Sequence, residues 1–205
     1  MRESEETREK REFFNSRAGQ WDERSRPDAA KLELMIRLLN IKSGERALDV
    51  GTGTGVLLPL LRRFTHAPAI TAIDLAEKML EAAKQKEGNT GVVFIAGDAL
   101  EYPFEDESFD HIICYSVFPH FEDKRGAVRR FSELLKPGGL LSILHSDSRD
   151  AINHIHIHVR HQDIKEDNLP PADTVMACMQ DCGLREEIRI DNAVMYMLCA
   201  RKRWH

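Results

Sequence analysis

Three groups of residues have types and spacings that suit chemistry. The first is Leu48-Asp49-Val50-Gly51-Thr52-Gly53-Thr54-Gly55. Alternating glycines let a backbone turn sharply and let a ligand approach it closely. A dinucleotide fingerprint needs its third glycine one residue later, where Val56 stands, and no Walker lysine follows, so a phosphate loop is excluded. The second group is two aspartates, each following an apolar run: Asp74 after Ala72-Ile73, and Asp98 after Ala96-Gly97. At strand tips, the former can accept both hydroxyls of a ribose, and the latter can accept from an adenine amino group. The third group is His120, His145 and His156. Neutral imidazoles suit a transition-metal ion, and an imidazole with a pKa of about 6.5 suits proton removal at neutral pH. Ordinary surface and core histidines are the third reading, and no obvious carboxylate ligand accompanies a metal site.

These residues need elements to hold them. Apolar runs at 46–50, 69–74, 92–96, 109–115 and 140–145 predict strands. Between them, helices are expected from the glycine loop to about Phe64, over 76–87 and over 123–136, with Lys136-Pro137-Gly138-Gly139 as a turn. Strands separated by helices imply parallel pairing with helices on both faces. In such a sheet the glycine loop, Asp74 and Asp98 converge at the carboxyl edge. His120 follows the fourth strand and His145 ends the fifth. Neighbouring strands would bring both to that edge.

The run Ala151–His161 alternates histidine and isoleucine and can be read as a strand. A helix is preferred, because Ile152, Ile155 and Val159 form one stripe and Ser146–Ser148 offer a cap. On that helix Asn153 and His156, with Arg149 a turn earlier, can face the site. His154, His158 and His161 would share a solvated face. A helix near 172–182 stops at Gly183, and Leu184–Ile190 with Ala193–Ala200 can only be a hairpin, so one late strand is antiparallel. Residues 1–24 are charged and helical, with Phe13, Phe14 and Trp21 requiring a docking surface. A second helix spans roughly 28–40.

Asp49-Val50-Gly51-Thr52-Gly53-Thr54-Gly55, Asp74, Gly97-Asp98-Ala99 and Leu135-Lys136-Pro137-Gly138-Gly139 together resemble the class I S-adenosylmethionine-dependent methyltransferases. They look most like the branch containing ubiquinone and menaquinone biosynthesis enzymes. Each motif alone is weak, whereas four in order and spacing are specific. The resemblance implies a doubly wound, Rossmann-like α/β fold with a seven-stranded sheet of order 3-2-1-4-5-7-6 and strand 7 antiparallel. It implies S-adenosylmethionine as cofactor, S-adenosylhomocysteine as product and a small-molecule acceptor. By position, Asp49, Gly51, Thr52, Gly53 and Gly55 would flank the methionine part and Asp74 would hold the ribose. Leu75 and Met79 would lie beside the adenine, with Asp98 and Ala99 on its other side. The segment Phe14–Asp22 resembles the family's arm that folds over the cofactor, placing Phe14 and Trp21 there. The run from Tyr115 to Phe121 would lie between the methyl group and the acceptor, with Tyr115 on the cofactor side. His120, His145 and His156 are then the candidate catalytic or metal-binding residues, and Arg149 and Asn153 the candidate acceptor-binding ones.

The rest of the chain bounds the reading. Its 205 residues suit one domain, with 1–42 as a helical cap and 43–205 as the α/β core. Hydrophobic residues make up 42%, enough for a core, and the net charge of −5 disfavours nucleic acid as a partner. No apolar run approaches the ~20 residues of a membrane span. The N-terminus lacks a secretory signal, and the four cysteines form no C-x-x-C pair, so a cytoplasmic protein with reduced thiols is expected. Rival readings are a nicotinamide-dependent oxidoreductase, which the glycine spacing opposes, and a non-catalytic cofactor-binding or histidine-metal protein on the same fold.

Overall fold

The computed structural model describes residues 4–158 and 167–204, without the side chains of residues 67 and 156–158. Seven strands form one sheet: β1 (Ala47–Val50), β2 (Ile70–Asp74), β3 (Val93–Ala96), β4 (Phe109–Tyr115), β5 (Leu135–His145), β6 (Leu184–Asp191) and β7 (Tyr196–Lys202). Their order is β3-β2-β1-β4-β5-β7-β6. The first five pair parallel, and β7 runs antiparallel to both β5 and β6.

Side chains alternate across this sheet because the strand period is two. Leu48, Val50, Ile112, Cys114, Leu141 and Ile143 face one side. There they meet Val128 and Phe131 of α6 (Lys124–Leu134) and Met176 and Met179 of α8 (Ala172–Asp181). Ile70, Ala72, Ile113, Leu140, Leu144 and Met197 face the other side. They meet Leu32, Met35 and Ile36 of α3 (Ala29–Leu38) and Leu58 and Leu61 of α4 (Leu58–Leu61). With both faces covered, every residue of β1 is buried.

Several boundaries differ from the sequence reading. The helix expected up to Phe64 shrinks to α4, because the turns of the glycine loop run on to Leu57 and Pro59 lacks an N–H. The N-terminal helix divides into α1 (Glu5–Asn15), a 3-10 turn (Ala18–Gln20) and α2 (Trp21–Arg24). Ser4 caps α1 by accepting from the Thr7 N–H at 3.0 Å. β5 begins at Leu135. The expected turn at 136–139 is an irregularity inside that strand, where pairing with β4 jumps from Phe109↔Leu135 to His111↔Leu140. In the hairpin, Asn192 Oδ1 accepts from the Val194 and Met195 N–H groups, so the turn uses Ala193–Met195 and β7 starts later. The helical reading of 149–161 agrees with α7 (Arg149–His158), but Ile155 is exposed rather than part of a buried stripe. Val159, Arg160 and His161 lie outside the described residues.

Candidate active site

The carboxyl ends of β1, β2, β3 and β4 open into a cavity of about 920 Å³. Its floor is the glycine loop. Gly51, Gly53 and Gly55 have φ of +65°, +56° and +80°, a region that suits glycine. A side chain at Gly51 would overlap Val117 Cγ2 at 2.4 Å, so the loop after β4 sits directly on this backbone. At Gly53 a Cβ would meet nothing within 4 Å, and this is where backbone lies open to a ligand.

Three carboxylates surround the loop. Asp49, 1% exposed, accepts from Thr52 Oγ1 at 2.7 Å. Burial pushes its carboxyl up to about 7, and the neighbouring Asp74 adds to this. Asp74 Oδ2 accepts from the Gly53 N–H at 2.7 Å and Oδ1 from the Ala76 N–H at 2.8 Å. Burial raises its pKa as well, opposed by those two donors and by His120. Each oxygen keeps a second lone pair for a ligand. Asp98 Oδ1 accepts from the Leu100 N–H at 2.8 Å and lies on the same wall as Leu75, Met79 and Ala99.

The arm supplies a further part of the wall, packed on Ala76 and Met79. Phe14 and Trp21 line the cavity, edge-to-face at 5.7 Å, and Phe14 also meets the His120 ring at 5.2 Å. Arg11 and Asn15 of α1 hold Glu77 on α5 (Glu77–Gln85), at 3.0 and 2.7 Å. Asp22 bonds Thr54 Oγ1 at 2.5 Å and Lys86 at 2.7 Å. Tyr115 also lines the cavity, with its hydroxyl 2.9 Å from Ser146 Oγ.

The histidines do not gather. His120, in a 3-10 turn after β4 (Phe118–His120), is part of the cavity wall. His145 does not line it. It is 1% exposed, opposite Tyr196 on β7 with the rings 6.0 Å apart, because the last residue of β5 is still covered by the antiparallel strand. The side chain of His156 lies outside the described residues. The shared pocket or metal site of three imidazoles is therefore corrected to His120 alone on the cavity wall among the described histidines.

The candidate acceptor residues also lie elsewhere. Asn153 is held in two bonds to the Leu169 backbone, at 3.1 and 2.7 Å, and Arg149 pairs with Asp191 at 3.2 Å. Arg149 thus fastens α7 to the end of β6, and Asn153 fastens it to the segment before α8. Lys10 and Asp167, which no sequence pattern singled out, lie beside His120. Asp167 Oδ2 is 2.5 Å from His120 Nδ1, and Lys10 Nζ is 3.2 Å from Asp167 Oδ1 and 2.8 Å from the His120 carbonyl.

Residues 48–143 match a family model described as a methyltransferase domain. A demethylmenaquinone methyltransferase of Staphylococcus aureus is 34% identical over 112 residues, covering 54% of this chain and 46% of that protein. The match thus spans about half the length of that curated relative. Among solved structures, phosphoethanolamine N-methyltransferase 2 of Haemonchus contortus in complex with S-adenosyl-L-methionine superposes with a TM-score of 0.77. It is 17% identical over 95% of this chain and 60% of that one. A SAM-dependent methyltransferase of Aquifex aeolicus gives a TM-score of 0.68 and 21% identity, over 91% and 97% of the two chains. At these identities the likeness is one of fold. Residues 48–143 are thus similar in sequence to a methyltransferase domain, and the sheet as a whole has the fold of these methyltransferase structures.

Proposed function

We propose that the protein is an S-adenosylmethionine-dependent methyltransferase acting on a small-molecule acceptor. The observation that carries this reading is the cavity floor: open backbone at Gly53, with Asp74 bonded to that same N–H and Asp98 farther along the wall. Such a cavity lies within the range of small-ligand sites. The cofactor supplies an electrophilic methyl group. The glycine loop and Asp49 accommodate its methionine part, Asp74 its ribose hydroxyls, and Leu75, Met79, Asp98 and Ala99 its adenine. Phe14 and Trp21 cover it and exclude water, while Tyr115 and His120 bound the space left for the acceptor. Most of the rate enhancement then comes from holding donor and acceptor in line.

Among the described residues, no helix is long and apolar enough to cross a membrane. A cytoplasmic location belongs to the same reading, supported by four cysteines that are all free thiols.

Calorimetry tests the proposal. S-adenosylhomocysteine and S-adenosylmethionine are expected to bind with one-to-one stoichiometry, and NAD not to bind. Tight NAD binding with no response to S-adenosylhomocysteine would overturn it.

A further inference from the structure

Three groups from distant parts of the chain meet on the acceptor side of the cavity: Lys10 of α1, His120 after β4 and Asp167 before α8. Lys10 is 5% exposed and Asp167 8% exposed, so this is a built cluster rather than a surface ion pair. Lys10 Nζ also donates to Glu6 Oε1 at 2.7 Å, which leaves its charge fully paired. Burial alone would raise the Asp167 pKa, but His120 and Lys10 outweigh it and hold the carboxyl ionised. An ionised carboxylate only accepts hydrogen bonds, so His120 Nδ1 carries the hydrogen between them, and in the neutral ring Nε2 carries the lone pair.

We propose that Asp167, fastened to α1 through Lys10, is the positioning residue that makes His120 the proton acceptor of the methyl transfer. The inference rests on the methyltransferase reading above and narrows its acceptor to a molecule that sheds a proton on methylation. His120 Nε2 takes that proton. The acceptor's electron pair forms the bond to the methyl carbon as the carbon–sulfur pair returns to sulfur. The products are the methylated acceptor, S-adenosylhomocysteine and an imidazolium, which Asp167 stabilises until its proton passes to water. Asp167 stays ionised throughout. Because Lys10 bonds both Asp167 and the His120 carbonyl, docking of α1 and assembly of the pair are one event.

The test is nitrogen NMR of the 205-residue chain at alkaline pH, with S-adenosylhomocysteine calorimetry alongside. Wild type is expected to show His120 as the Nδ1–H tautomer. Asp167→Leu, which can neither accept from Nδ1–H nor carry a charge, is expected to lose that tautomer preference, while S-adenosylhomocysteine affinity stays within a few-fold. An Nε2–H ring in wild type would overturn the proposal, and that spectrum decides even if Asp167→Leu fails to fold. An unchanged tautomer in a folded Asp167→Leu would overturn it too. If wild type shows the Nδ1–H ring but binds no S-adenosylhomocysteine, the methyltransferase reading fails, and the proposal falls with it while the pairing of the ring stands.

Discussion

At the residue scale, two buried carboxylates do different work. Asp74 stabilises the glycine loop through the Gly53 N–H and, on the proposed reading, offers lone pairs to a ribose. Asp74→Asn keeps the size but places an amide against the Gly53 or Ala76 N–H and removes the charge that strengthens ribose bonds. With each charge-assisted bond worth roughly 1.5–3 kcal/mol, shared with water in the unbound state, S-adenosylhomocysteine should bind about 10- to 1000-fold more weakly by calorimetry. Wild-type affinity in this variant would show that Asp74 only holds the loop. Asp49 carries a carboxyl raised to about 7 from an ordinary value of 3.8. The folded state therefore binds this proton more tightly than the unfolded chain, and the stability it confers is present at low pH and lost as pH rises through about 7. Asp49→Asn can still accept from Thr52 but does not ionise. Thermal unfolding between pH 5 and pH 8, a window set by that raised value, should show a flatter pH dependence in the variant, with its relative stability greatest at the alkaline end. An unchanged slope would mean that Asp49 is solvated in solution.

At the element scale, the arm is joined to the core by a small apolar cluster, Phe14, Ala18 and Trp21 against Ala76 and Met79, and by polar side chains. α5 has Ala76 at its N-cap position, with no side-chain cap of its own. Asn15 fills that role from α1: its Oδ1 accepts from the Lys78 N–H at 2.9 Å while its Nδ2 donates to Glu77. Asn15→Ala should cost about 1 kcal/mol in chemical unfolding, the usual worth of a lost cap. It should also raise hydrogen exchange across residues 10–24. In wild type the same segment should gain protection when S-adenosylhomocysteine is added, since Phe14 and Trp21 would acquire a partner beneath them. Equal exchange with and without the ligand would contradict the role given to the arm.

At the scale of the whole molecule, the sheet was largely legible from sequence. Parallel strands buried on both faces are continuous apolar runs, and the glycine loop, Asp74 and Asp98 each mark a strand's end. The sheet order came from resemblance, and the antiparallel β7 was visible as a hairpin with no room for a crossover. The far side of the site was much less legible. His145 ends its strand as expected, but which residues its neighbour β7 covers depends on register: Tyr196 lies directly opposite and closes the ring into the core. Asn153 and Arg149 carry site-like chemistry, yet their partners, the Leu169 backbone and Asp191, are set by how the chain returns after α7. Lys10 and Asp167 stand in ordinary charged stretches, and only the closure of α1 over the sheet edge makes them neighbours of His120. Local pattern thus locates the ends of strands, whereas pairings between distant segments are properties of the assembled fold.

The most direct test of the central claim is a crystal structure with S-adenosylhomocysteine bound. The ligand is expected in the cavity with its ribose hydroxyls on the Asp74 carboxylate, its adenine between Met79 and Ala99 near Asp98, and its sulfur facing the space beside His120. A ligand bound outside this cavity, or one whose ribose leaves Asp74 untouched, would contradict it.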